Sequence, residues 1–155
     1  MVEQPQHDDP AGQTVEFNLG TALASLADAV EEHVEADAHR DITYALGLER
    51  HHPGDEALAV LTDRLITHCS MLASGVAEIP EERRPRRGAA AAGVFRKLAE
   101  HGPDSGTLAN WSYARHLAQA GRDMLAAIEE HRQAERAAAR FAGRLGLPPV
   151  PLDPR

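Results

Sequence analysis

Along this chain apolar positions recur every three or four residues and nowhere alternate, a pattern that predicts helices throughout and no strand. Leu19, Leu23, Leu26, Val30 and Val34 make the first stripe. Its helix is expected from about Asn18, the N-cap, to Arg40 or a little beyond. The segment ITYALGL at 42–48 either extends that helix or forms a short second piece. HHPGDE at 51–56 breaks the pattern, with Pro53-Gly54 as the turn and Asp55 as the next N-cap. Leu58, Leu61, Leu65, Cys69, Leu72, Val76 and Ile79 then draw the clearest stripe of all, ended by Pro80. The charged, proline-bearing EERRPRRG at 81–88 reads as a connector. A shorter helix over about Ala89–His101 buries Ala91, Val94, Phe95 and Leu98, and GPDSG at 102–106 is a turn. The last helix starts near Thr107 and runs to about Arg144, with Trp111, Ala114, Ala118, Gly121, Leu125 and Ile128 at heptad spacing.

These elements predict an all-α fold: a single-domain helical bundle of about four main helices over 17–145, with a long C-terminal helix. A disordered acidic leader at 1–16 and a Pro-rich tail at 146–155, extended in character, flank it. A length of 155 residues suits one hydrophobic core. Aromatic residues are only 4% of the chain, so that core must rest on Leu, Ala and Val at close helix approaches. Ala114, Ala118 and Gly121 would admit a neighbouring helix. This small-residue seam is taken here as the contact surface for a homodimer or a protein partner.

No stretch approaches the roughly 18 consecutive apolar residues of a membrane span, and the polar N-terminus does not read as a signal peptide. The single cysteine, Cys69, excludes an intrachain disulfide and multi-cysteine metal motifs, so a reduced, cytoplasmic setting is expected. Net charge is −8 but unevenly spread: residues 1–63 hold 14 Asp/Glu against 2 Arg, and residues 64–155 hold 10 Asp/Glu against 14 Arg/Lys. Arg132, Arg136, Arg140 and Arg144, four apart, make a basic stripe that can pair with the acidic first helix. With RRPRR at 83–87 they also raise a nucleic-acid reading. The acidic total and the lack of a helix-turn-helix signal argue against it.

One repeat draws attention. AVEEHVEAD at 29–37 returns as AIEEHRQAE at 127–135. Projected on helices, Glu31, Glu32, Glu35 and His39 point outward, whereas His33, Asp37, His131 and Glu135 lean toward the apolar side. His68, at the edge of the second stripe, could join them. The candidate site is therefore His33, Asp37, His68, His131 and Glu135, serving as acid–base groups or as nitrogen and oxygen ligands for a transition metal. The Glu-x-x-His spacing of di-iron bundles is absent, since Val30 and Ile128 stand three residues before the histidines. The plain alternative is a pair of helix-surface contacts worth a few tenths of a kcal/mol each. No cofactor or metal is assigned. Cys69 reads as a small buried hydrophobe and Trp111 as a core anchor.

LTDRLITHCSMLASGVAE, FRKLAEHG and YARHLAQAGRDMLAAIEEHRQ, together covering roughly residues 58–133, resemble a family of small uncharacterised actinobacterial proteins labelled natural-product biosynthesis proteins. Leu61, Leu65 and Leu72, the Ala114-Arg115-x-Leu117-Ala118 stretch, and Leu125-x-x-Ile128-x-x-His131 carry the likeness. It implies a helical fold and a biosynthetic or regulatory context, with no catalytic residues to transfer. Three functions stand open: a binding or accessory protein with a protein partner or small-molecule ligand, an enzyme of specialised metabolism using the His and carboxylate set, and a regulator touching nucleic acid through Arg83, Arg84, Arg86, Arg87 and the C-terminal arginines.

Overall fold

A computed structural model describes residues 19–48, 52–106 and 108–144. All elements among them are helical: α1 (Leu19–Gly47), α2 (Asp55–Glu78), a 3-10 turn at Glu81–Arg83, α3 (Arg86–His101) and α4 (Ala109–Arg144). The expected leader at 1–16 and tail at 146–155 lie outside the described residues. The chain divides between His33 and Val34 into two compact units, so α1 contributes to both.

Residues 34–144 form the packed bundle. Glu35 meets Arg132 while Ile42 meets Gly121, so α1 and α4 are antiparallel. Gly88 meets Ala127 while Tyr113 donates its hydroxyl to the Leu98 carbonyl, so α3 and α4 are antiparallel too. Cys69 lies by Leu117 while Gly75 lies by Ile128, which makes α2 and α4 parallel. The helices therefore alternate up, down, up, down. The α2 stripe is the centre of the core as its spacing predicts: Leu58, Leu61, Leu65, Cys69, Leu72 and Val76 are all buried. Ala38, Ile42 and Ala45 face it from α1, and Leu117, Met124 and Ile128 from α4. Each fully buried leucine contributes roughly 1.5–3 kcal/mol through area removed from water.

Several local expectations change. ITYALGL continues α1 without a break. Gly54, at φ 94°, caps α2 in place of Asp55, and its N–H donates to His52 Nδ1 at 3.1 Å. Asp55 and Glu56 fall instead in the first turn, where negative charge suits the helix dipole. The 81–88 connector is partly helical, because Pro85 caps α3 and Arg86 opens it. Within that connector Arg84 folds back onto the carbonyls of Ala77 and Ile79 at 2.8 and 2.7 Å, closing the C-terminal end of α2.

The small-residue seam of α4 is spent inside the fold. Ala114 and Ala118 are buried, and a Cβ on Gly121 would lie 2.9 Å from Ile42 Cδ1 and 3.2 Å from Cys69 Sγ. Small side chains here let α1 and α2 close on α4 within one chain, so the seam offers nothing to a second molecule. The opposite happens to the first stripe of α1. Leu19, Leu23, Leu26 and Val30, which the spacing places toward a core, are 55–63% exposed.

Candidate functional site

The most buried charge among the described residues is Asp41, on the inner face of α1 between Ala38 and Ala45. Arg64 and His68, one turn apart on α2, grip it from the facing helix. Arg64 Nη2 donates to Oδ1 at 2.8 Å and His68 Nε2 to Oδ2 at 2.9 Å. The guanidinium is half exposed, whereas the His68 side chain is 12% exposed. A carboxylate placed this way fixes the imidazole orientation and puts the Nε2 proton toward Asp41. The remaining nitrogen, Nδ1, is buried and has no hydrogen-bond partner. A base needs its free nitrogen at a surface that substrate can reach. The dyad is thus placed as a polar clasp between α1 and α2, with the geometry of an oriented histidine but a closed face.

Sequence reading selected His68 and passed over Asp41. The signal was present, because Asp41 falls three residues after Ala38 and four before Ala45, inside the stripe Ala38–Ile42–Ala45 that α1 buries.

The second predicted element is on α4. His131 Nε2 lies 3.4 Å from Glu135 Oε1, with the imidazole 13% and the carboxylate 56% exposed. They border a cleft of about 390 Å³ with Arg83, Pro85, Glu130, Ala134 and Ala138. Arg87 reaches Glu130 at 3.5 Å from α3, across the same surface. Asp37 pairs with Arg40 at 2.8 Å one turn along α1, and His33 is exposed. Of the five predicted residues, His68 contacts Asp41, His131 contacts Glu135, and Asp37 contacts Arg40. Among the described residues no three His, Cys, Asp or Glu side chains gather closely enough to hold a metal ion.

The charge asymmetry has a concrete outcome. Arg132 Nη1 contacts both carboxylate oxygens of Glu35, at 2.6 and 2.8 Å. Glu35 thus turns toward α4 and not outward, because the arginine next to the second histidine of the repeat compensates it. Cys69 is fully buried, and desolvation raises its thiol pKa to about 12, against a smaller lowering by a backbone hydrogen bond from Gly121. Burial also raises the Tyr113 hydroxyl, with a smaller contribution from Cys69. Trp111 packs at the edge of the core, and its ring meets His52 edge-on at 6.4 Å between centroids.

Fold and site together define a class: a four-helix up-down bundle in which buried Asp41 is held by His68 and the half-exposed Arg64. Residues 36–133 match the model of a family of unknown function (DUF6415), and the chain belongs to that family. No curated protein matches it, and no solved structure does. The matched span contains the clasp and His131, while His33, Glu135 and the exposed α1 stripe lie outside it. No helix among the described residues is long and apolar enough to cross a membrane.

Proposed function

We propose that the chain is a helical binding or accessory protein of the cytoplasm that works through an exposed helix face. Its setting in natural-product biosynthesis rests on the resemblance of residues 58–133. The observation that carries the reading is the row Leu19, Leu23, Leu26 and Val30, left open to solvent on α1. Exposed apolar patches of this order mark interaction surfaces in stable proteins. The acid–base candidates support the same view, since His68, His131 and Asp37 each sit in an ion pair of helix-packing or helix-surface type. Three of the eight arginines that suggested nucleic acid are engaged within the chain: Arg84 closes α2, Arg87 meets Glu130 and Arg132 meets Glu35.

Complementation of a gene-deletion strain tests the reading. Restoration by H131Q and E135Q, together with failure of an L23E/L26E variant that still folds, is the expected outcome. Failure of the His131 or Glu135 variants with full rescue by L23E/L26E would replace it with the enzyme reading.

A further inference from the structure

The exposed stripe of α1 has a symmetry that selects its occupant. Leu19, Leu23, Leu26 and Val30 are separated by four, three and four residues, so the spacing reads the same in both directions. The residues beside them follow the same symmetry: Gly20 answers Ala29, and Ala22 answers Ala27. Rotated about a twofold axis between residues 24 and 25, Leu19 meets Val30, Leu23 meets Leu26, and small residues meet small residues. A surface that complements its own rotated copy is what an isologous dimer contact requires.

We propose that this segment of α1 pairs antiparallel with the same segment of a second copy of the chain. The proposal rests on the binding-face reading above and names its partner. In heptad terms Leu19 and Leu26 occupy d, Leu23 and Val30 occupy a, and the flanking e and g positions hold only Gly20, Ala22, Ala27 and Ala29. Charged e and g residues ordinarily set partner choice; here there are none to repel an identical helix, and the small side chains allow close approach. The exposed charges of this stretch, Asp28 and Glu32, fall on the outer positions and toward one end. A parallel pair would set these carboxylates at the same level on both helices. The antiparallel pair sends them to opposite ends, which fixes the orientation.

The four side chains leave roughly 400 Å² of apolar surface open, within the range of the largest apolar patch on a typical monomer. Two copies bury about twice that, the size of a weak, reversible contact and not of a permanent dimer.

Sedimentation equilibrium of the full chain over a range from about 1 to 300 µM reads the dimer directly. Wild type is expected to dimerise reversibly, and L23E/L26E to weaken the dimer at least 100-fold with unchanged helicity and melting temperature. L19S is a milder second variant, expected to weaken it about tenfold. A spin label on an introduced cysteine reads the orientation, since buried Cys69 does not compete. Antiparallel pairing sets the two labels at S25C about 1.5 Å apart along the axis and those at E32C about 22 Å apart, from a rise of about 1.5 Å per residue. Equal distances at the two positions would overturn the orientation. A monomer throughout the range, or a dimer indifferent to L23E/L26E, would overturn the second-copy assignment. In that case a requirement for the stripe in complementation would still uphold the binding reading, with a different protein as partner.

Discussion

Gly88→Ala probes the packing on which the bundle depends. Gly88 lies in the first turn of α3, and a Cβ built there would stand 2.5 Å from Ala127 Cβ on α4 and 3.5 Å from both methyl groups of Val76. Carbon atoms pack best at about 3.5–4.0 Å, so the new methyl falls short by at least 1 Å. Neither Cβ can rotate away, since each is bonded directly to its backbone, and α3 must therefore move off α4. Overpacking of this kind costs about 1–3 kcal/mol. The alanine returns up to about 1 kcal/mol in helix propensity, less in a first turn. A net loss of about 1–2 kcal/mol is expected.

Gly93→Ala supplies the control on the same helix. A Cβ at Gly93 meets nothing within 4 Å, so only the propensity gain of about 0.5–1 kcal/mol operates and stability should rise. Urea unfolding followed by far-ultraviolet circular dichroism measures both midpoints. Opposite shifts are required. A Gly88→Ala protein as stable as wild type would mean that α3 and α4 do not approach as closely as described.

Two further expectations concern buried polar groups. Asp41→Asn removes the charge that Arg64 and His68 share while keeping the shape, and should cost roughly 1–3 kcal/mol, tempered by Arg64 turning to solvent. A loss below about 0.5 kcal/mol in the same urea assay would show that the clasp is idle. For Cys69 the folded thiol pKa is raised from an ordinary 9.0 to about 12, so the folded state holds its proton while the unfolded thiol ionises. The resulting stabilisation is complete below pH 9 and is lost as pH rises from there toward 12, by at most about 1.4 kcal/mol per pH unit. Between pH 9 and 10.5 wild type should therefore lose stability more steeply than Cys69→Ala; parallel slopes would refute the assignment.

The candidate site was legible in part. His68 was visible because it borders a long apolar stripe. A general attraction between the C-terminal arginines and the acidic first helix was visible because acidic and basic runs lie on different helices, whereas Glu35, placed outward by its spacing, was not singled out as the partner of Arg132. The role of Asp41 needed the facing helix, since a carboxylate within an apolar stripe gains its meaning only from the groups opposite it. The two copies of the repeat look alike in sequence; in the structure Asp37 contacts Arg40 and His131 contacts Glu135.

By itself the amino-acid order determined that the described residues fold into helices, where α2 begins and ends to within about a residue, and which face of α2 is buried. Helical periodicity and turn residues act over a few positions, so they can be read locally. Tertiary structure alone decided which apolar surfaces find partners. Hydrophobic spacing marks a face that avoids water without naming what covers it. The small-residue seam of Ala114, Ala118 and Gly121 is consumed within the bundle because Ile42 and Cys69 fill it. The equally regular stripe Leu19–Leu23–Leu26–Val30 remains exposed on α1.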